Sequence, residues 1–309
     1  MEDDLQEESR IQAVLGNAVD FVAKEPVLLA QYESLHPTNF FPQLWPVGHG
    51  SVAGDHFNNK VNDIVEHLGG PPEFYIVREG RSAPLGDSYP EAAMREVFAV
   101  YARARQSIIR SHIYHAGSFL LADQPEFINF TESEDAQVLL VRHGHAAFWE
   151  HAEAAYIRLY SFWDRVAQVL DFSFFNIRKF DQNGFTSVMD RIHANAVPMD
   201  PSLKGSGSWK RLRAFQTSES EDGLKWLLQR RNLLVHSLHL HPLPDEQSVF
   251  KSQFNHLESA HRDKLRPRSQ KEETELLLGQ LTRASSLFSD FLTVAGFSPS
   301  RRKDRWVRD

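Results

Sequence analysis

The chain has 309 residues, 41% of them hydrophobic and 24% charged, with a formal net charge of -7 and no cysteine. This composition suffices for one large or two smaller folded domains and excludes wholesale disorder. It also excludes disulfides, thiolate metal sites and cysteine nucleophiles, and the acidic balance confines any nucleic-acid contact to local patches. The opening MEDDLQEES is the opposite of a signal peptide's basic start, and no apolar run is long enough to span a bilayer. The expectation is a soluble, cytoplasmic protein with no membrane partner.

Along the chain, residues 8–34 carry an amphipathic helical pattern in which Ile11, Val14, Leu15, Ala18, Phe21 and Val22 recur three and four apart, with a kink or restart expected at Pro26. Residues 36–54 are rich in Pro, Gly and aromatics and read as irregular. A helix over about 57–68 stops at Gly69-Gly70-Pro71-Pro72, and Phe74-Tyr75-Ile76-Val77 is the one convincing strand. The loop GRSAPLGDSYP then marks the best domain boundary. Helices are expected over 88–116, over 134–175 with a break near Gly144, and over about 181–195. Pro198, Pro201 and the GSGS run at 205–208 predict a flexible loop. Helices over about 221–239 and 270–295 follow. The fold class is all-α: a helical bundle at 87–298, an added N-terminal helical region at 1–86 and a basic tail at 299–309.

The segment EDGLKWLLQRRNLLVHSLHLHP carries the strongest chemical signal. Its apolar stripe runs Leu224, Leu227, Leu228, then Leu234, Val235 and Leu238, and the gap falls on Arg231. A guanidinium in line with the core requires a carboxylate or phosphate partner. Asn232 and His236, four apart, share one helix face, and His239 continues it. A permanent cation, an amide and a titratable imidazole around one small volume suit phosphoryl chemistry. The bare spacing Arg, four residues, His also occurs at Arg110 and His115, about as often as chance provides; context separates the two. At Arg231, Asn follows directly, three apolar residues come next, and Pro242 ends the helix.

RNLLVH resembles the signature of the HEPN superfamily, an arginine, commonly followed by a polar residue, and a histidine after four to six intervening positions. The aromatic helix LYSFWDRVAQVL, with Asp164, is similar to the long HEPN helix that precedes it. The resemblance covers roughly residues 135–295. It implies a HEPN-like helical bundle, a homodimer with motif helices facing one another, and a metal-independent endoribonuclease needing no cofactor. RNA would be cut by its own 2′-hydroxyl, leaving a 2′,3′-cyclic phosphate. Arg231 would hold the scissile phosphate, His236 would act as general acid or base, Asn232 would orient the motif, and Asp164 would partner Arg231. Lys210, Arg211, Arg213, Arg230 and His239 are candidate RNA contacts. A toxin or antiviral defence role, with an antitoxin or regulatory protein as partner, fits that family. The tyrosine that commonly stands two residues after the histidine in nucleotidyltransferase-controlled toxins is Leu238 here, which argues against control by modification at that position. The alternative is a silent HEPN module that binds RNA, nucleotide or protein.

Other groupings carry less. His143, His145 and His151, or His236, His239 and His241, could bind zinc in principle, but neither set has metal-motif spacing. His112 and His115 read as polar-face or half-buried side chains. The aromatic stripe Tyr156, Tyr160, Phe162 and Trp163 reads as core or dimer interface. The stretch Lys204 to Arg213 and the tail Arg301–Trp306 are basic but read chiefly as solvated. No nucleotide-binding glycine loop or nucleophile elbow is present.

Overall fold

The computed structural model describes residues 2–35, 42–44, 52–68, 89–123, 134–175, 184–236 and 268–297. Every regular element among them is helical, and the fold is an all-α bundle. In chain order the helices are α1 (Glu2–Leu35), α2 (Val52–Leu68), α3 (Tyr89–Asp123), α4 (Glu134–Phe174), α5 (Phe185–Asn195), α6 (Pro201–Gly205), α7 (Gly207–Thr217), α8 (Leu224–His236) and α9 (Gln270–Ala295), with a 3₁₀ turn at Val197–Met199. The expected strand at 74–77, residues 80–88 of the boundary loop after it and the basic tail lie outside the described residues, while the last two residues of that loop, Tyr89 and Pro90, begin α3. No described helix is long and apolar enough to cross a membrane.

The frame is the long pairing of α3 with α4, onto which α9 packs. Tyr101 of α3, Phe162 of α4 and Phe288 of α9 meet ring to ring, at 5.4 Å for Tyr101–Phe162 and 6.4 Å for Phe162–Phe288. A second aromatic group, Trp163 with Phe185 at 5.1 Å and Phe215 at 4.4 Å, ties α5 and α7 to the same helix. Leu44 and Ile64 from the N-terminal region join this core. A serine cap with a reciprocal glutamate, Ser269 and Glu272, starts α9.

Three local expectations are corrected. Helix α4 is continuous through Gly144, because the missing side chain is where α3 crosses: a Cβ there would collide with Ser118 Oγ. Helix α1 is likewise continuous through Pro26. The Pro/Gly/Ser run at 197–208 is not a flexible loop but a series of helix starts. Pro198 and Pro201 occupy first-turn positions, where the lost N–H has no partner to miss. Asp200 accepts from the Ser202 and Leu203 amides at 3.1 and 3.3 Å, and Ser206 accepts from Trp209 N at 3.4 Å.

Candidate active site

Helix α8 is seated before it reaches the motif. Gly223 lies so close to the preceding turn that a Cβ would come within 2.5 Å of the Ser218 carbonyl oxygen. The Gln280 amide of α9 donates to the carbonyls of Glu221 and Gly223 at 2.6 and 3.2 Å. Leu224 and Leu227 are buried, which sets the rotation of everything downstream.

That rotation differs from the expected stripe by one residue. The buried position after Leu227 is Arg230, not Arg231. Arg230 is paired with Glu273 of α9, and Tyr156 Oη donates to the other oxygen of that carboxylate at 2.7 Å. Glu273 is wholly buried and Arg230 only 5% exposed. The rings of Tyr156 and Trp226 lie 5.8 and 6.0 Å from the guanidinium. Arg230, expected as an RNA contact, is therefore enclosed in the core, where its charge is held by a carboxylate.

Arg231, one residue and about 100° further round the helix, lies toward Tyr160 and Asp164 of α4. It is half-buried, its guanidinium 5.6 Å from the centre of the Tyr160 ring, and it donates to Asn232 Oδ1 at 3.0 Å. Asp164 lies in its field, and among the described residues Arg231 forms no ion pair. The carboxylate instead accepts from the Phe185 amide at the head of α5, at 3.4 Å. Burial raises the Asp164 pKa above its ordinary value, opposed by that backbone hydrogen bond and by the charges of Arg165 and Arg231. Burial also raises the Tyr160 hydroxyl, as does the charge of Asp164, against the pull of Arg231. A Cβ on Gly184 would sit 3.2 Å from Asp164 Oδ1 and 3.5 Å from Tyr160 Oη, so this glycine lets the head of α5 come close to both side chains.

His236 is the last residue of α8, one turn beyond Asn232. Its imidazole, and the whole of His239, lie outside the described residues. The basic stretch Lys204–Arg213 forms a cap and helix α7, and its arginines are engaged within the protein. Arg211 grips Asp290 of α9 with Nε and Nη2 at 2.8 and 2.6 Å, and Arg213 pairs with Asp190 of α5. Burial acts to raise the Asp190 carboxyl, but hydrogen bonds from Arg213 and Gln216 and the charge of Arg213 hold it below its usual value. Lys210 is exposed. The structure thus brings together Arg231, Asn232 and Asp164, and it sets Arg211, Arg213 and Arg230 in ion pairs elsewhere.

Tyr160 and Gly184 belong to this cluster and were not assigned to it from sequence. Tyr160 had a signal: it stands four residues before Asp164, on the same face of α4. Gly184 had none, because its role depends on where α5 begins. Among the aromatic stripe on α4, Tyr156, Phe162 and Trp163 are buried within the protein, which removes them as a surface for a second chain. Histidines 143 and 151 pack against Tyr114, the latter stacked at 5.4 Å, and His115 Nδ1 is bonded to Gln270 Oε1 at 2.9 Å. Among the described residues no three His, Asp or Glu side chains are placed to hold a metal ion. Comparison of the chain with family models, with curated proteins and with solved structures finds no match.

Proposed function

We propose that the protein is a HEPN-type, metal-independent endoribonuclease, acting in the cytoplasm and controlled by a regulatory partner. The observation that supports this reading best is Arg231. Its guanidinium is steered by Tyr160 and Asn232, and among the described residues it pairs with no carboxylate. An arginine so placed has donors left for two oxygens of a phosphodiester. The 2′-hydroxyl of the RNA would attack the phosphorus, its proton passing to a base. The bond to the 5′-oxygen would break as that oxygen takes up a proton, giving a cyclic phosphate and a 5′-hydroxyl. His236, one turn from Asn232, is the residue assigned to those proton transfers. Arg231 would stabilise the charge that builds on the phosphoryl oxygens. Asp164 on α4 acts on the guanidinium through its charge. A toxin or defence role belongs to this same reading.

The test is cleavage of total RNA by the purified chain, with end-group analysis of the fragments. Activity is expected to persist in EDTA and to leave 2′,3′-cyclic ends. His236→Ala should lower the rate by roughly a hundredfold to ten-thousandfold. Arg231→Lys should also fail, since lysine keeps the charge but loses the planar fork. Full activity in both variants would refute the assignment.

A further inference from the structure

Among the described residues, helix α1 is attached to the body through its C-terminal third. Glu25 accepts from Arg110 Nε at 2.8 Å, Glu33 pairs with Arg105, and Leu29 and Tyr32 pack against the core. From Ser9 to Lys24, by contrast, every residue is exposed. This free length is not polar. Ile11, Leu15, Ala18 and Val22 form a stripe with alternating spacings of four and three, flanked by Val14 and Phe21, and the large members are 52–68% exposed. The spacing is that of a coiled-coil seam. A lone helix of this length, with Val14, Val19, Val22 and Gly16 in it, is a weak one in water and needs an opposing surface.

We propose that the opposing surface is the same segment of a second copy of this chain, packed antiparallel. The stripe is self-complementary in that sense: Ile11 falls opposite Val22 and Leu15 opposite Ala18, in four layers related by a two-fold axis. Charge selects the direction. Residues 1–10 hold Glu2, Asp3, Asp4, Glu7 and Glu8 against Arg10 alone. Parallel pairing would set the two acidic ends side by side. Antiparallel pairing carries each acidic end to the level of Glu25 on the other chain. There Arg103, Arg110 and Arg158 lie together on α3 and α4. Arg158 is bonded to Ser107 and to the Arg103 carbonyl and, among the described residues, to no carboxylate. Burial lowers its pKa, and the charges of Arg110 and Arg103 lower it further, so an acidic segment arriving here is favoured. The same acidic end disfavours an anionic lipid surface as the occupant.

The experiment is sedimentation of the full-length protein at micromolar concentration, wild type beside Leu15→Asp. Leu15 is 58% exposed, so the bundle should melt at an unchanged temperature. The variant should have half the mass of the wild type, its self-association weakened by at least about a hundredfold. The chain contains no cysteine, so direction is read with two single variants, Ile11→Cys and Val22→Cys, mixed and oxidised. Antiparallel pairing predicts a disulfide between the two variants. In a parallel pair these positions lie about 16 Å apart along the axis, too far for a disulfide. A monomeric wild type, an unchanged mass in Leu15→Asp, or disulfides formed only within each variant would each overturn the proposal. None of these outcomes depends on RNA cleavage, so this inference and the proposed activity fail or stand separately.

Discussion

Arg230 and Arg231 are neighbours in sequence with opposite fates. Arg230 meets a carboxylate that has no exposure at all, so its removal strands Glu273 in the core. Arg230→Ala should cost about 3–5 kcal/mol of stability, read in a denaturant titration. Arg231→Ala should cost less than about 1 kcal/mol, because that guanidinium is half-exposed and forms no ion pair among the described residues. The two losses should therefore separate stability from activity on adjacent residues. Asp164 supplies a second test. Its folded pKa is raised, chiefly by burial, so the native state holds the proton more tightly than the unfolded chain. That contribution is fully present below the ordinary carboxylate pKa and is lost as pH rises through the raised value. The melting temperature of wild type relative to Asp164→Asn should therefore fall across that window as pH increases. A difference that grows with pH would contradict the burial of this carboxyl.

Helices are placed in this protein by small residues at crossings. Gly223 allows α8 to begin against the Ser218 carbonyl, a backbone atom that cannot rotate away. Gly223→Ala should destabilise the chain by about 1–3 kcal/mol and, by shifting α8, lower any activity that depends on Arg231. At Gly144 the neighbour is the buried hydroxyl of Ser118, which can be removed. In a Ser118→Ala background, Gly144→Ala should stabilise by about 1 kcal/mol, the ordinary gain in a helix interior. In the wild-type background that gain should vanish or reverse. Thermal melts of the four chains check this as a double-mutant cycle.

For the molecule as a whole, the exposed apolar surface is unevenly shared. Most of the large apolar side chains exposed among the described residues lie on α1, with a smaller group, Phe119, Leu120, Val138 and Leu139, at the tip of the α3–α4 pair. The aromatic surplus on α4 is spent inside the protein. If α1 is covered by a second copy, its helicity depends on association. The far-UV helical signal of the wild type should then fall on dilution, while that of Leu15→Asp should be lower and independent of concentration. A concentration-independent wild-type signal would argue that α1 needs no partner.

The sequence by itself determined the all-α class and the long helices, because periodicity at three and four residues is a local property that any core must use. The apolar stripe on α1 was legible for the same reason; Arg231 and Asn232 were legible through their spacing to His236, and Asp164 only through the resemblance of its helix to the one that precedes that motif. The tertiary structure alone decided which of two consecutive arginines is buried. Leu224, Leu227 and Leu228 permit either rotation of α8, and the choice rests on Glu273, 43 residues away in sequence, and on Tyr156, on another helix. It also decided that Arg211 and Arg213 face Asp290 and Asp190, and that Gly144 and the Pro-Ser-Gly run serve helix crossings and starts rather than breaks. Glycine and proline report only that a side chain or an N–H is missing. What the gap is for depends on the atoms that other helices bring to it.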